Sequence, residues 1–232
     1  MKHSFMKKYT FLPWNFKKNN WGKLGLELLV VFLGVTSGFL LNSWRERQME
    51  EQMEQKYVVS FIKDVSDDIK QLEELCTVDS LWLKRARNNV LALQNHTLTK
   101  DSAISMIKEI VKINKVELHE GTYEDITNSG NLNIIRSFEL KSQIVDYHIA
   151  AKGARFVDDY FYKYFNDFVM PFIISNFNVL SAEFVEDTSY KTIEFSNAFV
   201  GYFAMVQQRN SAYKDLLVKS REFKAELIES KK

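Results

Sequence analysis

Apolar residues gather in one nearly continuous run, Leu24 to Trp44, and nowhere else in the chain does a run approach its length. At about 1.5 Å per residue it reaches roughly 30 Å, the thickness of a bilayer's hydrocarbon core. The pattern predicts one transmembrane helix. Beyond it the apolar positions turn periodic. Val58, Ile62, Val65, Ile69, Leu72, Cys76, Leu83, Ala86, Val90 and Leu93 alternate four-three spacings, broken at Asp79 where an apolar residue is due. Neither glycine nor proline occurs between Trp44 and Gly121, so the membrane helix is expected to continue outward into this coiled-coil-like seam. The seam fits packing against the chain's own later helices or against a second copy.

Punctuation divides the remainder. Asn95 to Thr99 reads as a turn, and Asp101 to Lys115 as a returning helix with Ile104, Ile107, Ile110 and Val111 inward. Thr122 to Asp125 has the layout of an N-terminal capping box, and Gly130 suits the left-handed residue that ends a helix. Ser137 is placed to cap the next helix, whose inner positions Leu140, Ile144, Tyr147, Ala151, Phe161, Phe165 and Phe168 run until Pro171 stops it. The stretch from Phe172 to Thr192 is open to a loop, a short helix or a brief strand. A last helix is expected from about Ile193 to Ile228, with Phe199, Phe203, Val206, Tyr213 and Leu217 inward. The fold class is therefore all-α: a single N-terminal transmembrane helix continuing into an extended antiparallel helical bundle. The expected division is a basic arm over 1–23, the span over 24–44 and one helical domain over 45–232.

Charge orients the span. Lys2, Lys7, Lys8, Lys17, Lys18 and Lys23 precede it with no acidic residue among them, whereas Arg45, Arg47, Lys56 and Lys63 on the far side are interleaved with glutamates. Basic flanks stay in the cytoplasm, which puts the arm inside and the C-terminal domain in the periplasm of a bacterial inner-membrane protein. Trp21, Lys23 and Trp44 are the expected membrane-interface anchors, and Phe11, Trp14 and Phe16 are suited to hold the arm against the bilayer surface. A cleaved signal peptide is the competing reading. The run is longer than a usual signal core and no small-x-small cleavage site follows it, so a retained anchor fits better.

Composition narrows the chemistry. Two prolines, eight glycines and 26% charged residues describe an ordered chain with few breakers. The exported part is mildly acidic, which argues against nucleic acid as a partner. Cys76 is the only cysteine, so no internal disulfide, cysteine metal cluster or redox pair is available, and a small core residue is expected there.

Within the span, Glu27, Gly34, Gly38 and Arg45 fall within about 20° of a common line at 100° per residue, with Ser37 further round. Gly34 and Gly38 form a small-xxx-small pair that lets backbones approach closely, and a carboxylate on that line faces a partner helix better than lipid. Glu27, Gly34, Ser37 and Gly38 are therefore the candidate helix-association face. Two other readings exist for Glu27: snorkelling to the cytoplasmic interface near Lys23, or handling ions in a gradient-driven complex.

The segments Gly25 to Val31, Leu41 to Trp44, Tyr57 to Leu72 and Thr122 to Ile135, with Glu139, Leu140 and Tyr147, resemble a single-pass membrane protein family common in Bacteroidota, domain of unknown function 6090. The resemblance covers most of the chain. It implies an inner-membrane protein with a helical periplasmic domain and brings no activity with it.

Catalytic motifs are missing from the sequence. His119 and Glu120 lack the two-histidine helical spacing of a zinc site, Asp146 and His148 point apart on a helix, and no phosphate loop or nucleophile elbow occurs. The cluster Asp158 to Phe165 reads as core with a ligand pocket as its alternative, and Ser129 to Asn131 as a turn. The expectation is a chain with no catalytic, cofactor or metal residues. It would be an anchored interaction or assembly module whose partners are the lipid bilayer and a protein or second copy reached through the transmembrane helix. A ligand sensor or accessory subunit of a transporter or envelope machine, and a membrane-tethered enzyme, are the alternatives.

Overall fold

The computed structural model describes residues 21–111 and 115–231. The expectations for the basic arm before Trp21, including Phe11, Trp14 and Phe16, lie outside the described residues. The fold is all-α, with six α-helices and one two-stranded hairpin among the described residues: α1 (Trp21–Gln94), α2 (Lys100–Ile110), α3 (Gly121–Asn128), α4 (Phe138–Tyr164), α5 (Met170–Asn176), β1 (Phe177–Asn178), β2 (Glu183–Phe184) and α6 (Ile193–Glu229). A five-residue π-turn, Phe165–Val169, joins α4 to α5. Two compact units partition the chain, one ending at Glu51 and the other starting at Gln52.

In the first unit α1 carries the apolar run as one helix long and apolar enough to cross a membrane. Leucines, valines and phenylalanines from Leu24 to Leu41 are exposed all round it. A helix apolar on every side is a candidate membrane span.

The second unit is a bundle of α1, α4 and α6. α1 and α4 run parallel, as Tyr147 meets Asp68. α6 runs against both, placing Phe223 beside Phe61 and Tyr147 while Tyr202 meets Trp82 and Phe161. Two apolar clusters fill it. One holds Val58, Phe61, Val65, Leu72, Ile126, Ile144, Tyr147, Leu217 and Phe223. The other is dominated by aromatic rings, among them Phe161, Phe165, Phe172, Phe195, Phe199 and Tyr202, with Ile107 and Ile110 from α2.

Several expected boundaries hold. Ser137 caps α4 by accepting from the Leu140 N–H, Gly130 has φ +74°, and α6 occupies the expected range with Thr192 as its cap. Four details differ. α1 buries Phe61, Asp68 and Leu75, leaving Ile62 and Ile69 half-buried, with Phe61 against Phe223 of α6 and Asp68 against Tyr147 of α4. α2 ends at Ile110 and leaves Val111 exposed. The expected capping box does not form: α3 starts at Gly121 with no side-chain cap, and the Thr122 hydroxyl donates to Asp64 on α1. Pro171 does not stop the helix. It sits in the first turn of α5, where a missing N–H is tolerated, and the π-turn before it advances the register by one residue. Val169 is buried in consequence and Phe168 turns out to solvent at 59% exposure.

Candidate functional site

The span's candidate residues all lie on α1 in the first unit. Glu27, Gly34, Ser37 and Gly38 are exposed, and a Cβ added at Gly34 or Gly38 would meet nothing within 4 Å. Trp21, Lys23 and Trp44, flanking the apolar run, are exposed too. Asn42 closes the run by donating to Glu46 at 2.8 Å, which ties its amide to the helix's own next turn.

Titratable chemistry concentrates inside the bundle. The gap in the apolar seam at Asp79 is filled by an ion pair: Arg209 of α6 grips the Asp79 carboxylate with Nε at 3.0 Å and Nη2 at 2.6 Å, both side chains 5% exposed. The guanidinium also lies over the Phe161 ring, 4.1 Å from its centroid. Such forked, charge-assisted contact satisfies a carboxylate that could not otherwise be buried. Next to it on α4, Asp158 is fully buried and accepts from the Tyr213 hydroxyl at 2.6 Å, while its Oδ2 and the Tyr162 hydroxyl have no hydrogen-bond partner. Burial raises the Asp158 carboxyl above the usual carboxylate range, against the pull of Tyr213 and Arg209. Burial likewise pushes Tyr162 up to about 12 and Tyr213 further still, so these phenols stay protonated.

This layer lies between the two apolar clusters. Asp79 falls between Cys76 and Trp82, Asp158 between Ala154 and Phe161, and Arg209 between Val206 and Tyr213, each pair drawn from different clusters.

A second polar set runs along α1. Gln71 exchanges two 3.1 Å bonds with the Glu117 backbone, and Tyr57 donates to Asp125 and accepts from Asn131. Asp68, 1% exposed, accepts from the His119 N–H, the His119 ring at 2.7 Å and the Tyr147 hydroxyl. The bond to Asp68 raises the His119 pKa. These side chains fasten residues 117–131 along α1. His148 goes elsewhere: it stacks on Tyr123 at 3.6 Å, and burial lowers its pKa. His96 is exposed at a positive-φ turn. The three histidines of the domain are thus dispersed, and no group of three or more metal-ligating side chains gathers among the described residues.

Sequence reading singled out Asp79 as an interruption but attached no partner to it, and it left the spacing of Tyr57, Asp64, Asp68 and Gln71 unremarked. That heptad-like polar line is a usable signal. Arg209, in contrast, lies in a helix whose apolar period gives no hint of a buried cation. Comparison of the chain with protein-family models, with curated proteins and with solved structures finds no match.

Proposed function

We propose that this chain is a single-pass anchor holding one helical domain at a bacterial inner membrane, N-terminus in the cytoplasm and domain in the periplasm, and that it works by association. The observation that carries this reading is the contrast between its parts. The apolar side chains from Leu24 to Leu41 are exposed among the described residues, whereas the bundle pairs most of its buried polar side chains internally. The lysine-rich start supports the orientation. The resemblance to the Bacteroidota family supports the compartment.

Gly34 and Gly38, open on the span with Glu27 on the same line and Ser37 further round, form the face through which it meets another transmembrane helix, from a membrane-complex subunit or a second copy. Catalysis is not part of the proposal: the main charged groups of the interior are paired structurally, Asp79 with Arg209 and Asp68 with His119 and Tyr147.

Mild-detergent purification of the full-length protein from its host, with native mass and identification of what co-elutes, tests the association. The expected result is a defined oligomer or stoichiometric complex that Gly34→Leu with Gly38→Leu disrupts. A monomer, or assembly unchanged in that variant, refutes it. A periplasm-dependent reporter fused after Glu229 is expected to be active, and an inactive one reverses the orientation.

A further inference from the structure

Beyond association, the structure assigns a ligand site to the cleft between the π-turn and the start of α6: we propose that it binds a small organic ammonium ion. The cleft encloses about 490 Å³. Its wall is aromatic. Tyr164 and Phe168 stand 5.1 Å apart, and Phe172, packed on Phe195 and Phe199, closes the floor.

The local backbone makes this wall. The π-turn rotates Phe168 outward, a device that recurs at functional sites. Tyr164 lies across α6 because residue 201 is glycine: a Cβ there would sit 1.8 Å from the phenol oxygen. Pro171, which also lines the cleft, has no N–H. Met170 donates to the Phe165 carbonyl across the π-turn, and Pro171 follows it without a backbone donor.

Hydrogen-bonding capacity in the lining is one-sided. Its donors are turned onto the protein's own carbonyls: the Tyr164 hydroxyl onto Asn197, the Asn176 amide onto Phe172 and the Thr192 hydroxyl onto Ser189. Acceptors remain. The Glu194 carboxylate takes no hydrogen bond from the described residues, and Asp167 takes Lys163 on Oδ2 at 2.7 Å, leaving Oδ1. Ser175, Asn197 and the second N–H of the Asn176 amide are the side-chain donors that remain there. A cleft with two carboxylates, spare acceptors and exposed ring faces matches a cation that carries N–H donors and an apolar body. Lys163 on Asp167 is that same chemistry supplied by the chain.

Calorimetric titration of the full-length protein in detergent with n-butylammonium tests this, with n-butanol and butyrate as neutral and anionic counterparts at fixed ionic strength. Saturable binding of the ammonium ion alone is expected, weakened at least about tenfold in Glu194→Gln and in Phe168→Ala. Both side chains are solvent-facing, so unfolding temperatures should stay at the native value. Absence of saturable binding, equal binding of the alcohol or the anion, or native-strength binding by either variant overturns the assignment.

Discussion

Asp158 has the most unusual surroundings of any residue in the bundle, with 0% exposure, one phenol donor and a second oxygen without a partner. Its carboxyl is held above the ordinary range mainly by burial. A carboxyl raised on folding binds its proton more tightly in the native state, so stability falls as pH rises from the unfolded value toward the folded one. Each pH unit in that window costs about 1.4 kcal/mol. Asp158→Asn is therefore expected to flatten the loss of thermal stability as pH rises above the ordinary aspartate value of about 4. A steeper pH dependence in the variant would contradict this. At Gly201 the expectation is steric. Gly201→Ala drives a methyl into the Tyr164 hydroxyl and should destabilise by about 1–3 kcal/mol, with Tyr164→Phe in the same chain relieving part of the loss in a melting experiment.

At the scale of elements, the charged layer fixes how α1, α4 and α6 align. Apolar seams tolerate sliding by a heptad, but a forked pair between Asp79 and Arg209 closes in one register. Arg209→Met alone leaves a buried carboxylate unpaired and should cost about 3–5 kcal/mol, whereas Asp79→Leu with Arg209→Met should cost far less or stabilise. Chemical denaturation of the four members of the cycle measures the coupling, and equal losses in single and double variants would deny the layer its role. Elements were also where sequence reading succeeded and failed for identifiable reasons. Ser137, Gly130 and the limits of α6 depend on neighbours a few residues away, and local pattern revealed them. Thr122 met a carboxylate 58 residues earlier in the chain, which no local capping motif encodes. Phe168 was misplaced because one extra residue in a π-turn shifts every later position, and Pro171 hid that turn by resembling a stop.

For the whole molecule, the long apolar helix and the all-α class were legible because each depends on long stretches of composition and period. The cleft beside α6 was not, since it unites the end of α4, the π-turn, α5 and the first turns of α6, segments up to 34 residues apart whose meeting only the fold decides.

The layer of Asp79, Arg209 and Asp158 also has a dynamic meaning. It divides the interior into two apolar volumes, and we expect these to open as two cooperative blocks sharing three backbones. Native-state hydrogen exchange should then show two opening free energies, one for amides around Val65, Ile144 and Leu217 and another around Phe165, Phe195 and Phe199. Neutralising the layer should merge them, because a continuous apolar interior opens as one. The charges that align the helices would thus also let one end of the domain loosen while the other stays closed.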